Sequence, residues 1–155
     1  MSHELKLTRT LSLTPEECFA LWQNPQILAA WWGPYDDQGE PFISKVENWD
    51  LKEETDWAIT MTAPSGKLYH QSGTILKVNA PHGLTFTFRW TKQGETGPTT
   101  KIDVHFEAAA NGTEMTFKHM DFDLTEDRDA HISGWSSCID RLEHFISTRQ
   151  EAKNG

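Results

Sequence analysis

Residues 125–148 of this 155-residue chain read TEDRDAHISGWSSCIDRLEHFIST. Apolar residues recur there at intervals of three and four, which places them on one face of an α-helix. A helix of about 23 residues is roughly 35 Å long, enough to cross a whole sheet. The stretch therefore predicts a long C-terminal helix over 126–148 whose apolar face must be covered. That face comprises Ile132, Trp135, Cys138, Ile139, Leu142, Phe145 and Ile146.

Upstream of this helix the apolar period changes to two, which is the pattern of half-buried β-strands. Turn residues such as Asn111-Gly112 separate the runs and indicate sequential antiparallel hairpins. Thr14-Pro15 and Asn24-Pro25 each combine a helix N-cap with a proline at the first helical position, and so predict two short helices. The predicted strands cover 4–13, 42–50, 55–63, 68–78, 84–90, 99–108 and 113–120.

These elements predict an α+β protein of order β-α-α-β₆-α. A curved antiparallel sheet wraps around the long C-terminal helix, and the two short helices close one end. The arrangement leaves a cleft between sheet and helix in which a ligand can bind. A single domain is expected over 1–149, followed by a flexible polar tail over 150–155.

The net charge of the chain is −9, and two segments carry all of it. Segment 36–56 has eight acidic residues against two lysines, and segment 121–129 has five acidic residues against one arginine. A surface of this sign repels phosphate backbones, which argues against nucleic-acid binding. It suits either a basic protein partner or a solvated surface.

Three further features of the sequence indicate the cellular compartment of the protein. No apolar run approaches the length of a membrane span, and the first residues do not resemble a secretory signal. Cys18 and Cys138 lie far apart, which argues against a disulfide scaffold or a zinc finger. We therefore expect a cytoplasmic protein, monomeric or homodimeric, that does not span a membrane.

Common catalytic and metal-binding motifs are missing from the sequence. Neither a Gly-x-Ser-x-Gly nor a His-Glu-x-x-His pattern is present, and no catalytic residue, cofactor or metal is assigned. Three polar residues, however, fall in apolar registers: Arg9 in the first strand, His119 in the last strand and His131 in the long helix. They are either ligand-orienting groups in the cleft or structural groups, with Arg9 paired to a carboxylate near the strand edge and the histidines hydrogen-bonded in the core or at the rim.

Seven tryptophans are unusual for a chain of this length. Most of them fit core positions, but Trp31 and Trp32 are adjacent in a short helix and cannot both face one way. One is expected to point inward and the other toward the cleft mouth or a partner. The predicted ligand-binding residues are Arg9, Trp32, Trp57, Phe86, Phe88, Trp90, Phe106, Phe117, His119, His131, Trp135 and Leu142.

Several stretches, in order along the chain, resemble one protein family. They read RTLSLTPEE (9–17), WWGP (31–34), APSGK (63–67), PHGLTFT (81–87) and HISGW (131–135). Over about residues 5–146 the chain resembles the activator-of-heat-shock-ATPase (Aha-like) family of the START-related superfamily. The resemblance implies the helix-grip fold. One turn departs from the family pattern, because Glu54-Thr55 stand where the family has a glycine pair, and its geometry is expected to differ.

The resemblance leaves function open, since the superfamily includes lipid carriers, hormone receptors, polyketide cyclases and co-chaperone domains. We expect non-catalytic binding of a small hydrophobic ligand, lipid or polyketide-like, in the cleft. One alternative is a co-chaperone-like domain in stress response that binds a chaperone or another protein. The other is a cyclase- or hydrolase-type enzyme that uses His119, His131 and Arg9.

Overall fold

The structure is a computed structural model that describes residues 2–154, and of 151–154 the backbone alone. Its elements are β1 (His3–Leu11), α1 (Pro15–Ala20), α2 (Pro25–Trp31), β2 (Ile43–Asn48), β3 (Asp56–Thr62), β4 (Leu68–Asn79), β5 (Gly83–Lys92), β6 (Glu95–Thr96), β7 (Thr100–Ala109), β8 (Gly112–Phe122) and α3 (Thr125–Asn154). Within these residues, eight strands form one antiparallel sheet in the order β1-β8-β7-β5-β4-β3-β2, with β6 paired to β5. The α+β architecture and element order expected from the sequence are confirmed, and the two-residue strand β6 is an addition.

Both short helices begin at the predicted caps. The Thr14 hydroxyl accepts from the Glu17 backbone N–H at 3.1 Å, and the Glu17 carboxylate accepts from the Thr14 N–H at 3.0 Å. This reciprocal pair is a capping box. Asn24 Oδ1 accepts from the backbone N–H groups of Gln26 and Ile27. So capped, α1 packs against β7 and β8, and α2 packs against β2 and α3.

The long helix α3 extends beyond its predicted limits. It begins at Thr125, one residue earlier than predicted, and it continues to Asn154. Segment 150–154, expected as part of a flexible tail, is therefore helical, and Gly155 lies outside the described residues. No helix in the described part of the chain is long and apolar enough to cross a membrane.

One face of α3 packs against β1 and β8. Its apolar side chains are buried from Trp135 to Ile146, with Phe145 half-buried. Ile132, predicted on the same face, is instead 37% exposed. The reason is that His131, one residue earlier, faces the sheet at that turn and bonds to a strand residue.

The turn between β2 and β3 keeps left-handed backbone without glycine. Glu54 has φ 67° and Leu51 has φ 50°, a region that side chains disfavour. The Glu54 N–H donates to the Ile75 carbonyl at 2.8 Å, and the Ile75 N–H donates to the Thr55 carbonyl at 2.8 Å. These bonds hold the turn on β4, so the glycine pair is replaced while a left-handed residue remains.

A glycine on β4 lets the core close beneath the cleft. Gly73 lies opposite Trp57 of β3, whose indole Nε1 donates to the carbonyl of Thr87 on β5 at 2.9 Å. A Cβ at Gly73 would lie 1.9 Å from that oxygen and 2.6 Å from Nε1. The bond between β3 and β5 therefore requires a residue without a side chain in the strand between them.

Candidate functional site

A cavity of about 290 Å³ lies between the inner face of the sheet and the first half of α3. Strands β3, β4 and β5 form one wall, α3 forms the other, and the loop after α2 forms part of the rim. The cavity lies where the sequence predicts a cleft. Its lining residues are Trp32, Gly33, Pro34, Phe42, Met61, Tyr69, Gln71, Phe88, Trp90, Ala130, His131, Gly134, Trp135 and Cys138.

Some of the predicted ligand-binding residues line this cavity, and others lie behind its wall. Those in the lining are Trp32, Phe88, Trp90, His131 and Trp135. Those packed outside the lining and almost fully buried are Trp57, Phe86, Phe106, Phe117 and Leu142. The ring of Phe117 lies 4.6 Å from that of Trp135, and the ring of Trp57 lies 5.9 Å from that of Trp32. The second group is therefore core that supports the lining.

Trp31 and Trp32 are both buried, each with 1% of its surface exposed. They nevertheless diverge as expected, Trp31 toward the core and Trp32 toward the cleft, although neither is exposed to a partner. Helix geometry is not the reason, because α2 ends at Trp31 and Trp32 takes an extended conformation with ψ 132°. The helical rotation per residue therefore does not set the angle between their side chains. The Trp31 indole donates to the Leu21 carbonyl at 3.1 Å and belongs to the core, whereas Trp32 contributes its ring to the cavity.

Gln71 is a buried polar residue in the cavity wall, with 4% of its surface exposed. Its Oε1 accepts a 2.8 Å hydrogen bond from Nε1 of Trp32. Because an indole nitrogen only donates, this bond fixes which end of the amide is oxygen. The Nε2 group makes no hydrogen bond to any described residue. Gln71 is not among the ligand-binding residues predicted from the sequence, although it shares the buried register of Gly73 and Ile75 on β4.

His119 is a neutral core residue rather than a cavity group. Trp135 Nε1 donates to its Nδ1 at 3.0 Å, so the proton of the neutral ring lies on Nε2. Nε2 then donates to the Thr100 hydroxyl at 2.7 Å, which itself donates to the Phe88 carbonyl at 2.9 Å. Burial, and then the charge of His131, lower the pKa of His119 to about 2. His119 therefore stays neutral and fully bonded.

His131 lies at the rim, half-buried, with both ring nitrogens engaged. Trp90 Nε1 donates to its Nε2 at 2.9 Å. The proton of the neutral ring is therefore on Nδ1, which donates to the backbone carbonyl of Asp127 at 2.6 Å. The pair links β5 to the start of α3 and closes one side of the cavity.

Arg9 lies outside the cavity lining. Its guanidinium donates to Asp140 at 2.8 Å, to Glu143 at 3.3 Å and to the Ser136 hydroxyl at 3.2 Å. Of the two readings open from the sequence, pairing with carboxylates is correct, and the carboxylates lie on α3. Of the three polar residues of the enzyme hypothesis, His119 and His131 lie with their rings 5.1 Å apart, whereas Arg9 is bonded elsewhere on α3.

Arg141 anchors the loop that forms the rim. Its Nη1 donates to the carbonyls of Trp32, Gly33 and Phe42 at 2.9–3.1 Å, and its Nη2 donates to the carbonyl of Ala30 at 3.1 Å. Hydrogen bonds from a charged donor are stronger than neutral ones. One side chain on α3 therefore holds the C-terminal end of α2 and the start of the next strand together.

The Cys138 thiol contributes to the wall between α3 and the rim loop. It accepts from the Gly33 backbone N–H at 3.3 Å, and burial raises its pKa to about 12. A thiol held protonated in this way is a poor nucleophile. Within the described residues, no three His, Cys, Asp or Glu side chains lie close enough together to hold a metal ion.

Charged residues lie near the opening of the cavity but not among its described lining residues. None of its described lining residues is Lys, Arg, Asp or Glu. Pro34 and Phe42 of the rim flank the acidic loop 36–40, and Ala130 and His131 directly follow the acidic segment 121–129. The opening is therefore bordered by the two segments that carry the negative charge of the protein.

Comparison with known proteins places the chain in a family. Residues 12–147 match the family described as Activator of Hsp90 ATPase homolog 1-like protein. No curated protein matches the chain. Because the family match covers most of the sequence, the chain belongs to this family, as the resemblance implied.

Solved structures share its fold. The chain is similar to the AHSA1 protein from Silicibacter pomeroyi, with 23% identity, a TM-score of 0.85, and coverage of 95% of this chain and 99% of that one. It is also similar to a protein from Chromobacterium violaceum (19% identity, TM-score 0.81, coverage 92% and 96%). A third similar structure is a protein from Mycobacterium smegmatis (20% identity, TM-score 0.78, coverage 94% and 92%). At these identities the likeness concerns the fold alone, and it confirms the helix-grip architecture.

Proposed function

We propose that this member of the Activator of Hsp90 ATPase homolog 1-like family binds a small apolar molecule in the cavity between the sheet and α3. The observation that carries the proposal is the cavity itself, about 290 Å³ in volume and walled mainly by aromatic rings. Binding sites for small molecules are typically concave, largely apolar and provided with a few oriented polar groups. The cavity has this composition, with Gln71, His131 and the hydroxyl-bearing Tyr69 among its side chains.

The size of the cavity limits its occupant. An engineered cavity of about 150 Å³ holds benzene, so 290 Å³ suits a molecule of roughly two fused rings. A long acyl chain would extend from the opening into water. The proposal therefore favours compact ring systems of the polyketide-like class over extended lipids.

Gly134 provides a way to test the proposal. It lies on α3 in the cavity wall, and a Cβ built on it would meet nothing within 4 Å. Gly134→Phe should fill the cavity while α3 remains intact. Ser133→Phe is the matched control, because Ser133 is the preceding residue on the helix and faces solvent.

Native mass spectrometry of freshly purified protein, followed by titration with the bicyclic ketone 1-tetralone, gives the readout. We expect a retained molecule or saturable tetralone binding in the wild type and in Ser133→Phe, and loss of both in Gly134→Phe. Equal behaviour of the two variants, or no binding by the wild type, would overturn the proposal.

A second candidate function is interaction with a basic protein partner. The observation that favours it is the concentration of negative charge on segments 36–56 and 121–129, and the family description names activation of an Hsp90 ATPase. If this role applies, adding the protein to an Hsp90-class chaperone raises its ATPase rate, and Asp127→Lys with Asp129→Lys weakens the effect. An unchanged rate over a wide range of protein concentration would remove this candidate.

A further inference from the structure

We propose that the ligand of this cavity is uncharged and carries a carbonyl-type oxygen that accepts a hydrogen bond from Nε2 of Gln71. This inference rests on the proposed function and adds the chemistry of the ligand to it. Two independent observations carry it: an oriented, unpartnered amide donor in the wall, and the distribution of charge around the opening.

The Gln71 amide is held in one orientation. Its Oε1 is committed to Trp32 at 2.8 Å, and rotating the amide by 180° would bring two donors face to face. The Trp32 backbone is itself held, because its carbonyl accepts from the Ser44 hydroxyl at 2.6 Å and from Arg141 at 3.1 Å. The Nε2 group is thereby left on a cavity-lining side chain that is 4% exposed.

A donor left without a partner in an apolar cavity is costly, so native structures normally satisfy such groups. Nε2 of Gln71 has no hydrogen-bond partner among the described residues, and because it is not one of the fully enclosed unpartnered atoms, it opens onto the cavity. The cavity that it lines is the space from which an acceptor can come. A ligand oxygen placed there would remove the cost, which gives a molecule with an acceptor an advantage over a pure hydrocarbon.

The other indole and imidazole groups of the cavity are already engaged. The indole N–H groups of Trp90 and Trp135 donate to His131 and His119, respectively. The remaining nitrogen of His131 donates to a backbone carbonyl. Among the nitrogen donors of the described lining side chains, the Gln71 amide is therefore the one that remains for a ligand.

The charge distribution disfavours anionic ligands, because the nearest cation, Arg141, is already bonded to the carbonyls of Trp32, Gly33 and Phe42. A buried carboxylate or phosphate needs a cationic partner, and none of the described lining residues is Lys or Arg. The acidic loop 36–40 and the acidic segment before Ala130 border the opening, so an anion would also approach against a repulsive field. The acceptor opposite Gln71 is accordingly a neutral oxygen, as in a ketone or a lactone.

The inference is tested with three bicyclic probes of similar size: 1-tetralone, which carries a ketone, tetralin, which is the hydrocarbon, and 1-naphthoate, which carries a carboxylate. Their dissociation constants are measured by calorimetry for the wild type, Gln71→Met and Phe88→Leu. Phe88→Leu is the matched control, because it changes the apolar wall without removing a donor. Thermal unfolding of each variant shows that it is folded.

In Gln71→Met we expect the affinity for tetralone to fall about five- to tenfold, which corresponds to one net hydrogen bond. Tetralin should bind as well as before or better, because its complex no longer leaves the amide unpaired. Phe88→Leu should change both affinities by the same factor. Naphthoate should bind the wild type at least tenfold more weakly than tetralone.

A second measurement does not depend on a variant. In ¹⁵N-labelled wild type, tetralone should shift the side-chain NH₂ signals of Gln71 downfield, whereas tetralin should not. If tetralone and tetralin respond equally to Gln71→Met, or naphthoate binds tightest, the inference is wrong while the cavity proposal stands. If none of the three probes binds the wild type, the cavity proposal fails, and this inference fails with it.

Discussion

The indole Nε1 of Trp135 donates a 3.0 Å hydrogen bond to Nδ1 of His119, joining α3 to β8 inside the core. The bond selects the ring tautomer of His119 and aims its Nε2 proton at Thr100. It also holds the Trp135 ring, which forms part of the cavity wall. Hydrogen bonds inside the core therefore position an aromatic ring of the cavity wall.

The neutrality of His119 predicts a pH dependence of stability. Its pKa is about 2 in the folded protein against 6.5 for an ordinary histidine, so below pH 6.5 the unfolded chain binds a proton that the folded one does not. Proton binding by the unfolded chain therefore lowers the free energy of unfolding as the pH falls below 6.5, and it has little effect well above that pH. Between pH 7.5 and 5.5 the loss amounts to about 1.4 kcal/mol.

Urea unfolding at the two pH values measures this loss. In His119→Asn, whose amide oxygen can accept from Trp135 without titrating, the loss between pH 7.5 and 5.5 should be smaller by about 1.4 kcal/mol. His105→Asn on the exposed face of β7 is the control and should behave as the wild type. A His119→Asn variant with the full wild-type loss would show that His119 does not carry the effect.

Gly73 should tolerate no side chain. Gly73→Ala places a methyl group 1.9 Å from the Thr87 carbonyl oxygen and disrupts the bond from Trp57. We expect a loss of about 2–4 kcal/mol in the free energy of unfolding, since overpacking and a lost buried hydrogen bond combine. Gly134→Ala, in open helical space, should instead gain up to about 1 kcal/mol. Chemical denaturation of both variants measures these changes. An unchanged free energy of unfolding in Gly73→Ala would contradict the packing described.

Arg141 should contribute more to the free energy of unfolding than Arg9. Arg141→Met removes four bonds to the carbonyls of the rim loop and should cost about 2–3 kcal/mol of stability. Arg9→Met removes an ion pair with exposed carboxylates and should cost at most about 1 kcal/mol. Thermal unfolding at low and high salt separates them, because only the Arg9 contribution should weaken with salt. Equal losses would argue against the anchoring role of Arg141.

Relieving the strain in the turn before β3 should raise the stability of the protein. Glu54→Gly relieves a φ of 67°, which offsets the greater flexibility of glycine in the unfolded chain, and should raise stability by up to about 1 kcal/mol. Thr10→Gly in extended β1 should lower it by about 0.5–1 kcal/mol. Urea midpoints of the two variants test the contrast, and a destabilised Glu54→Gly would mean that its backbone is not strained.

Much of the fold was open to prediction because its signals are local. The cap residues Thr14 and Asn24 define helix starts through bonds to their own neighbours, and the alternation of strands and the stripe of α3 follow from one-sided burial. Family membership was accessible for the same reason, since the resembling stretches are contiguous in sequence. The end of α3 was placed too early because polar residues beyond 149 carry no apolar signal for the helix.

The site was less predictable because it depends on which residues meet across the sheet. Periodicity shows that Phe86 and Phe88 share a face, but only the packing shows that Phe88 lines the cavity while Phe86 lies behind it. Gln71 carries the same signal as His119, since both are polar residues in an apolar register of a strand. Arg9 carried that signal too and pairs with α3, so the register alone does not separate a ligand group from a structural one.

Locating a bound probe tests directly whether the cavity between the sheet and α3 is the binding site. Nuclear Overhauser effects between 1-tetralone and labelled protein report which side chains lie within a few ångströms of it. We expect effects to the rings of Trp32, Phe88 and Trp135 and to the side-chain amide of Gln71. Effects instead to the groove lined by Leu13, Ile27 and Ile146, or saturable binding without any effect to the cavity rings, would contradict this expectation.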